Sequence, residues 1–401
     1  MFRTFKKILF ILLFAALIAC AIFWATASKD MRQLVLNIPT DRDALFWSMP
    51  QRDAVFRMMD RVPLIIKSNI IAADKDFLRL ALGEPIDLGI DVDAFMKNQR
   101  GSALIIIHEG KIRLEKYGLD FNDTGRWTSF SMAKSLTSVL VGAAIKDGYI
   151  ENVQEKVTKY IPGLTGSVYD EVTIEHLLTM KTGVMWNEDY SDPTSEVALF
   201  LDHKPEPGVD TTVSFMRQLK RESPPGEKWR YNTGETNLVG LLVRTVTGKP
   251  LAEYLSEKVW QPFGMKQNAS WLLSDSGIEI AGCCVQATTR DYARFGLFML
   301  GGAVINGESI VPEGWIAAST TKYADTHYED LGYGYQWWII DDDTYAARGI
   351  FGQGILIDTK RNLIIASNGN WPFASDRQGG DQAKKRHQFY RRVQSVIDKE
   401  S

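Results

Sequence analysis

A serine and a lysine three residues apart, Ser131 and Lys134, are the pair in this chain with the clearest capacity for chemistry. A serine hydroxyl is a weak nucleophile until a neighbouring base takes its proton. On a helix, residues at this spacing lie on the same face, so Lys134 would stand beside the Ser131 hydroxyl. Desolvation, another base nearby or the positive helix N-terminus would lower the pKa of the lysine enough for it to act as that base. The spacing therefore indicates nucleophilic catalysis by Ser131.

The residues that follow predict that this helix is buried nearly all round. Val139, Leu140 and Val141 are followed directly by Gly142, Ala143 and Ala144. The Ser-x-x-Lys spacing alone recurs by chance on solvated helices. A core helix, however, has no structural reason to carry a lysine in its first turn. Its place at the start of an apolar helix is what favours the catalytic interpretation.

Tyr231 is a second candidate for moving protons. It follows the turn Pro224-Pro225-Gly226 and precedes an apolar helix predicted from Leu238 to Val246. A loop at this place would present the tyrosine hydroxyl at its tip. A packing role for the ring is the alternative, and the local pattern leaves both open.

The composition is that of a folded globular protein. The chain has 401 residues, of which 45% are hydrophobic and 24% charged, so it can bury one large core or two small ones. Its net charge of −3 offers no basic patch, which excludes a nucleic-acid-binding function on these grounds.

The N-terminal segment indicates export. Basic residues precede an uncharged run from Ile8 to Ala25, the pattern of a signal peptide or signal anchor over residues 1–27. The positive-inside rule places the rest of the chain outside the cytoplasm, on the periplasmic side. Three fates stay open: an uncleaved inner-membrane anchor over residues 8–27, cleavage after Ala27, and lipidation at Cys20.

The cysteines give no metal or redox prediction. Cys283 and Cys284 are adjacent, and backbone strain disfavours a bridge between neighbours, so we interpret them as two small buried residues. The cysteines and histidines show no spacing typical of a metal site. We expect no metal and no organic cofactor.

The pattern of the remaining elements predicts an α+β fold. Residues 28–95 are predicted as an amphipathic, largely helical extension, and 96–401 as one domain. The predicted elements of this domain are a hairpin of Ser102–Ile107 with Lys111–Tyr117, the Ser131 helix, a helix over Ala287–Leu300 with Thr289 as N-cap, strands at Tyr335–Ile340, Gly349–Asp358 and Asn362–Ser367, and a final helix over Gln382–Lys399. Strands at both ends predict one antiparallel sheet of N- and C-terminal strands with a helical region inserted between them.

Several segments, in this order, resemble the serine β-lactamase and penicillin-binding superfamily. The resemblance is to the class C β-lactamase branch with its esterases, and in particular to 6-aminohexanoate-oligomer (nylon-oligomer) hydrolases. The segments span about residues 104 to 367 and are Ser131–Gly142, Val172–Met180, Pro225-Gly226, Tyr231–Gly240, Trp260–Met265, Thr288–Gly296, Tyr333–Trp338 and Gly349–Gln353. The resemblance implies a β-lactamase-like fold and acylation of Ser131, with Lys134 as its partner.

The resemblance also implies roles for two further motifs. The second motif of the superfamily falls on Tyr231-Asn232-Thr233, where Thr233 keeps a hydroxyl but lacks the side-chain amide that helps to bind β-lactams. The third falls on an edge strand at Ala347-Arg348-Gly349-Ile350, without its lysine but with a positive charge on Arg348. The backbone N–H groups of Ser131 and Ile350 would then form the oxyanion hole.

The substrate contacts implied by the resemblance are Tyr190, Thr233, Arg348 and Gly349. Tyr190 lies in the segment Trp186–Glu196, which resembles a mobile loop whose tyrosine reaches the leaving amide nitrogen in the nylon-oligomer branch. A surface loop with a polar turn is the alternative. The literal Lys181-Thr182-Gly183 precedes Tyr231, and we interpret it as a helix end with its cap glycine.

Five aromatic residues could line an apolar acyl pocket, although aromatic residues at strand spacing are more often part of a core. They are Tyr333, Tyr335, Trp337, Trp338 and Trp371.

The sequence thus predicts a serine hydrolase that cleaves small esters or short linear amides through an acyl-enzyme. Lys134 and Tyr231 would share the proton transfers, and which of the two is the general base stays open because a coupled pair titrates as a unit. The alternatives are a cell-wall D,D-peptidase or β-lactamase, and a non-catalytic envelope-binding module of the same fold. The sequence leaves the oligomeric state open.

Overall fold

The computed structural model describes residues 2–41, 44–61, 67–328 and 331–400. The chain divides into two compact units, Met1–Met58 and Met59–Ser401. Within the described residues the α-helices, numbered α1 to α14, are Phe2–Thr26, Lys29–Leu36, Met49–Val55, Val92–Asn98, Met132–Lys146, Val157–Tyr160, Ile174–Leu178, Glu196–Leu201, Thr211–Met216, Thr233–Thr247, Leu251–Leu255, Thr289–Leu300, Trp315–Ser319 and Gln382–Glu400. The strands, β1 to β15, are Ser68–Ile71, Ala81–Leu82, Gly101–His108, Lys111–Tyr117, Trp127–Thr128, Ala269–Leu272, Val285–Ala287, Val304–Ile305, Glu308–Ser309, Ala324–Asp325, Gly332–Tyr333, Trp338–Ile339, Thr344–Arg348, Gly354–Asp358 and Leu363–Gly369.

The first unit consists of helices α1 to α3. The apolar N-terminal run forms α1, and Arg3–Thr26 is the one stretch among the described residues that is long and apolar enough to cross a membrane. The Ser28 hydroxyl caps α2 by accepting from the Met31 amide at 3.2 Å. An ion pair of 3.0 Å between Arg57 and Asp30 holds α2 against the end of this unit.

The main sheet of the second unit joins N- and C-terminal strands, which confirms the predicted α+β architecture. Its strand order is β10-β11-β12-β13-β14-β15-β3-β4-β2. The central pairing of β15 with β3 is antiparallel and brings Ile365 opposite Ile106. All neighbours are antiparallel except β2 and β4. A second sheet has the order β1-β6-β7-β5, and β8 pairs with β9.

Alternation along the strands buries both faces of the main sheet. On one face Ile105, Ile107 and Ile364 pack with the core that includes α5 and α12. On the other face Ile106 and Ile365 pack against the apolar stripe of α14. The sheet therefore holds α5, and with it Ser131, from one side while α14 closes the other.

Most predicted elements of the second unit are confirmed, and the differences lie at their ends. The hairpin β3–β4, strand β15 and helix α14 form where the pattern predicts them. The N-cap of α12 is Thr288 and not Thr289, because the Thr288 hydroxyl accepts from the Asp291 amide. The strand predicted from Tyr335 shortens to β12, because Gln336 has a φ of +64° and breaks the extended backbone.

The segment around Gly349 differs more. The predicted strand over Gly349–Asp358 begins only at Gly354, because Ile350–Gly352 forms a 3₁₀ turn in which Phe351 has a φ of +60°. Thr344–Arg348, which precedes this turn, is itself a strand, and β12 and β14 flank it. The third motif therefore begins in the last two residues of an interior strand, β13, rather than on the predicted edge strand.

Residues 28–95 are helical only in part. Strand β1 pairs with β6, and β2 pairs with β4, so residues 68–82 belong to the sheets of the second unit. These strands have four and two residues, too short for an alternating pattern to predict them.

Two local predictions are wrong. Cys283 and Cys284 are joined by a disulfide, whereas the sequence predicted two unbridged residues. Cys284 has a left-handed φ of +75° in the turn before β7. The prediction assumed an extended backbone at the two cysteines and did not take this conformation into account. Gly183 does not cap a helix, because α7 already ends at Leu178.

Candidate active site

Ser131 occupies the N-cap position of α5 and follows a residue with an uncommon backbone conformation. Phe130, directly before it, has a left-handed φ of +42°. The Ser129 hydroxyl fixes this turn, since it donates to the Phe130 carbonyl at 2.9 Å and accepts from the Val285 amide at 3.0 Å. Strained non-glycine residues of this kind persist only where their surroundings hold them, commonly at functional sites. Ser131 remains 9% exposed, in the wall of a cavity.

Lys134 lies one turn further along α5, with its side chain only 1% exposed. Its ammonium group donates to Ser131 Oγ at 3.3 Å, to Thr233 Oγ1 at 3.0 Å and to the Gly282 carbonyl at 2.7 Å. These acceptors match the three protons of a lysine ammonium. Burial lowers the pKa of Lys134 to about 8, although the nearby charge of Glu188 opposes the shift. A substantial neutral fraction near pH 8 fits it to accept a proton from Ser131.

Tyr231 completes the predicted group of three. It lines the cavity together with Ser131, and Lys134 Nζ lies 5.1 Å from the centroid of its ring. Burial, and then the charge of Glu188, raises the pKa of Tyr231 well above its ordinary value, while hydrogen bonding to Ser131 lowers it in part. Tyr231 therefore holds its proton near neutral pH and can donate it.

Glu188 is a part of the site that the sequence did not identify. Its carboxylate accepts hydrogen bonds from the Tyr190 hydroxyl at 2.7 Å, from the Thr233 amide at 3.0 Å, and from the Thr233 hydroxyl and the Trp186 indole. It thus ties the Tyr190 loop to Thr233, which in turn accepts from Lys134. The only feature of the sequence that pointed to Glu188 was its position two residues before Tyr190.

The backbone amides of Ser131 and Ile350 both belong to residues that line the cavity. Neither amide donates a hydrogen bond to another of the residues that the structure describes. Gly349 lets the turn that contains Ile350 lie close to the segment before Ser131, because a Cβ at this position would lie 2.5 Å from the Ser129 carbonyl oxygen. The Gln353 side chain holds the turn by donating to the Ile350 carbonyl at 2.9 Å. Two unpaired N–H groups beside the nucleophile are suited to an oxyanion.

The cavity in front of Ser131 has a volume of about 560 Å³. Of the predicted substrate contacts, Tyr190, Arg348 and Gly349 line it, whereas Thr233 lies outside its lining, between Lys134 and Glu188. The aromatic residues of the lining include the predicted Trp338 and Trp371, together with Trp186, Trp229 and Tyr328, while Tyr333, Tyr335 and Trp337 are core residues.

Positive charge accompanies these rings. The Arg348 guanidinium lies 5.3 Å from the centroid of the Trp338 ring, and that of Arg377 lies 3.9 Å from the centroid of Tyr328. Arg348 therefore does bring its charge to the cavity. Among the described residues, no cluster of three or more His, Cys, Asp or Glu side chains is arranged to hold a metal ion.

Comparison with known proteins matches the beta-lactamase family model to residues 91–388. A 6-aminohexanoate-dimer hydrolase of Paenarthrobacter ureafaciens is 29% identical over 301 residues, which cover 70% of this chain and 76% of the relative. A beta-lactamase of Yersinia enterocolitica is 23% identical over 295 residues, or 66% of this chain and 69% of the relative.

Solved structures show the same fold. A Bacillus anthracis protein described as a 6-aminohexanoate-dimer hydrolase superposes with a TM-score of 0.76 at 21% identity, covering 92% of this chain and 99% of its own. A family VIII carboxylesterase superposes with a TM-score of 0.55 at 18% identity, covering 73% of this chain and 94% of its own.

Proposed function

This chain belongs to the beta-lactamase family of serine hydrolases, and we propose that it cleaves small esters or short linear amides through an acyl-enzyme on Ser131. The observation that carries the proposal is the 3.3 Å contact between Lys134 Nζ and Ser131 Oγ at the wall of the cavity. The lowered pKa of this lysine, about 8, gives it a substantial neutral fraction from about pH 8 upward, and in that form it can accept the serine proton.

Acylation begins with attack of Ser131 Oγ on the substrate carbonyl carbon. Lys134 in its neutral form takes the serine proton, and the amides of Ser131 and Ile350 donate to the oxyanion of the tetrahedral intermediate. The bond to the leaving group then breaks as Tyr231 delivers its proton to the leaving oxygen or nitrogen. The proton on Lys134 restores the Tyr231 hydroxyl, so the pair ends the step as it began.

Deacylation reverses the roles with water as the nucleophile. Tyr231 and Lys134 act as a pair that can take up one proton, and the same pair serves both steps. Water attacks the acyl carbonyl carbon and gives a proton to the pair. The bond to Ser131 Oγ then breaks, the serine oxygen takes a proton from the pair, and the carboxylic acid is released.

The lining of the cavity supports an ester or linear amide more than a β-lactam. The third motif lacks its lysine, and Thr233 faces Lys134 and Glu188 rather than the cavity. The aromatic rings of Trp338, Trp371 and Trp229 offer an apolar surface to an acyl chain. These features suit an ester or amide with an apolar acyl chain.

Hydrolysis of p-nitrophenyl acetate and butyrate by the full chain in detergent tests the proposal. We expect turnover by the wild-type protein. Stable labelling of Ser131 by penicillin without ester turnover would favour a D,D-peptidase or β-lactamase instead. Absence of both reactions, with binding to peptidoglycan, would favour the non-catalytic envelope module.

Replacing Tyr231 by phenylalanine is expected to lower kcat for both esters by about 100-fold, because the Lys134–Tyr231 pair loses the hydroxyl that takes part in removing the proton of the attacking water. Tyr333→Phe is the matched control. The rings of Tyr333 and Tyr231 lie 6.1 Å apart, and among the described residues the buried Tyr333 hydroxyl has no hydrogen-bond partner. Removing that hydroxyl should leave kcat unchanged. Equal losses in the two variants would exclude the proposed role of Tyr231.

Tyr190→Phe should separate amide from ester hydrolysis. We propose that the Tyr190 hydroxyl, which donates to Glu188 at 2.7 Å and lines the cavity, turns to the leaving nitrogen of an amide. An amine leaves only with a proton, whereas p-nitrophenolate leaves without one, so the variant should lose about tenfold more activity on 6-aminohexanoate dimer than on p-nitrophenyl butyrate. A parallel loss on both substrates would show that Tyr190 only shapes the cavity.

We also propose that the chain is exported, with the second unit on the periplasmic side and α1 as signal peptide or anchor. Two observations support this. Arg3–Thr26 is long and apolar enough to span a bilayer, and the Cys283–Cys284 disulfide is of a kind that persists in oxidising compartments. Fractionation of cells that produce the tagged full chain tests the proposal.

A further inference from the structure

We infer that the Cys283–Cys284 disulfide is a positioning element of the active site, which fixes the Gly282 carbonyl against Lys134 and makes hydrolysis at Ser131 sensitive to reduction. The inference rests on the proposed function for its effect on hydrolysis, but not for its effect on the backbone.

The contact in question is the shortest that Lys134 makes. Its ammonium group lies 2.7 Å from the Gly282 carbonyl oxygen, compared with 3.0 Å for Thr233 Oγ1 and 3.3 Å for Ser131 Oγ. The carbonyl therefore sets where the ammonium group stands relative to the nucleophile. Cys283 follows Gly282 directly, so the disulfide begins one peptide bond from this carbonyl.

Gly282 is fitted closely into the site. A Cβ at this position would lie 2.8 Å from Thr233 Cγ2 and 3.3 Å from Lys134 Nζ. Its amide donates to Asn237 Oδ1 on α10 at 2.9 Å. A shift of a few tenths of an ångström in this residue would thus change the surroundings of both Lys134 and Thr233.

Hydrogen bonds from neighbouring segments also hold the turn around the cysteines. The Cys283 amide donates to the Ile280 carbonyl at 3.0 Å, the Trp271 indole donates to the Cys283 carbonyl at 3.1 Å, and the Leu272 amide donates to the Cys284 carbonyl at 3.2 Å. Cys284 has a left-handed φ of +75°, which is costly for a residue with a side chain. A disulfide between the neighbours closes a ring over their peptide bond. That ring restricts both residues and so holds Cys284 in this conformation.

Reduction opens the ring. A thiolate of a dithiol reagent attacks one sulfur and breaks the S–S bond, and its second thiol then displaces the mixed disulfide. The reagent loses two electrons and two protons and becomes a cyclic disulfide, and the protein gains two thiols. Cys283 is half-buried, which gives the reagent a point of attack. Cys284 can then leave the left-handed region and carry the Gly282 carbonyl away from Lys134.

The expected consequences are a slower reaction and a shifted pH profile. A carbonyl acceptor stabilises the ammonium form, so its loss lowers the pKa of Lys134 further and moves the rising limb of the profile to lower pH. The other titratable groups facing Lys134 are Glu188, from the loop that carries Tyr190, and Tyr231, from the loop before α10. Neither belongs to the cysteine turn, so reduction leaves their contributions in place.

The experiment uses the full chain carrying Cys20→Ser, so that only this pair of cysteines is present. Alkylation and mass spectrometry count the free thiols before and after treatment with dithiothreitol, and the reagent is removed before kinetic assay. We expect no free thiol before treatment and two after, with kcat for p-nitrophenyl butyrate roughly tenfold lower and the rising limb at lower pH. The double variant C283S/C284S should match the reduced protein in kcat and in pH profile. Reoxidation should restore the kcat of the reduced protein and leave that of the double variant unchanged.

Hydrogen exchange provides the readout that does not need activity. Reduction should speed exchange of the amides in the 280–285 turn and leave those of the β3–β15 pair unchanged. Two free thiols in the untreated protein, or an unchanged turn, kcat and pH profile after verified reduction, would overturn the inference. If the oxidised protein hydrolyses no ester while reduction still loosens the turn, the proposed function fails and the positioning of Gly282 stands.

Discussion

The Ser131→Ala variant is expected to lose ester hydrolysis by about 10⁴-fold in kcat, because no other group takes over the covalent step. Binding should change little, since the hydroxyl contributes little surface to a cavity of about 560 Å³. The measurement is the initial rate with p-nitrophenyl butyrate at saturating substrate. A residual rate from the oxyanion amides alone would sit far below that of the wild-type protein.

Ser138→Ala is the matched control for this result. Ser138 lies on the same helix, and within the part of the chain that the structure describes its buried hydroxyl has no hydrogen-bond partner. Its removal should change neither kcat nor the unfolding temperature appreciably. If Ser131→Ala retains the wild-type rate, or Ser138→Ala loses it, Ser131 is not the nucleophile.

Lys134→Met should lower kcat by about 10³-fold, because the serine loses its proton acceptor. Lys134→Arg provides the more discriminating comparison, since a guanidinium keeps the positive charge but does not deprotonate in the accessible pH range. We therefore expect it to be nearly as inactive as the methionine variant. Circular dichroism and thermal unfolding verify that both variants fold.

The pH dependence of the wild-type protein follows from the same residue. Below pH 8 Lys134 is mainly protonated and cannot accept the serine proton, and above pH 8 it is mainly neutral. The rate should therefore rise through about pH 8 and then level off until Tyr231 begins to ionise. The Lys134→Arg variant should show no such rise. A rise of the same midpoint in that variant would assign it to another group.

Two of the proposed catalytic residues could be singled out from the sequence because the information is local. Ser131 and Lys134 are one helical turn apart, and an apolar helix around a lysine is itself unusual. Tyr231 was ambiguous from the local pattern alone, and its proposed role rests on the resemblance to a known family. The structure brings the three together, with Ser131 and Tyr231 in the lining of the cavity and Lys134 buried beside Ser131.

The supporting residues could not be predicted, because they depend on contacts between distant segments. The Gly282 carbonyl reaches Lys134 across 148 residues of sequence, and Glu188 reaches Thr233 across 45. The left-handed conformations of Phe130 and Phe351, which flank the two oxyanion residues, are held by tertiary contacts against the local preference of phenylalanine. No spacing or periodicity signals such features.

The same distinction applies to the fold. Hairpin β3–β4 was predictable because its strands have eight and seven residues, β3 contains a continuous apolar run, and the turn between them contains a glycine. Strand β1 has four residues and pairs with β6 some 200 positions later, so its strand character comes from its partner. The disulfide was missed because an average rule about adjacent cysteines took no account of a turn that accommodates a left-handed residue.

Direct detection of the acyl-enzyme is the measurement that tests the central claim. The full chain is mixed with excess p-nitrophenyl butyrate, quenched with acid within the first turnovers and digested for mass spectrometry. We predict a butyryl group on the peptide that contains Ser131, its absence in Ser131→Ala, and a burst of p-nitrophenolate that matches it in amount. Steady turnover with no acylated peptide, or acylation at another residue, would contradict acyl transfer through Ser131.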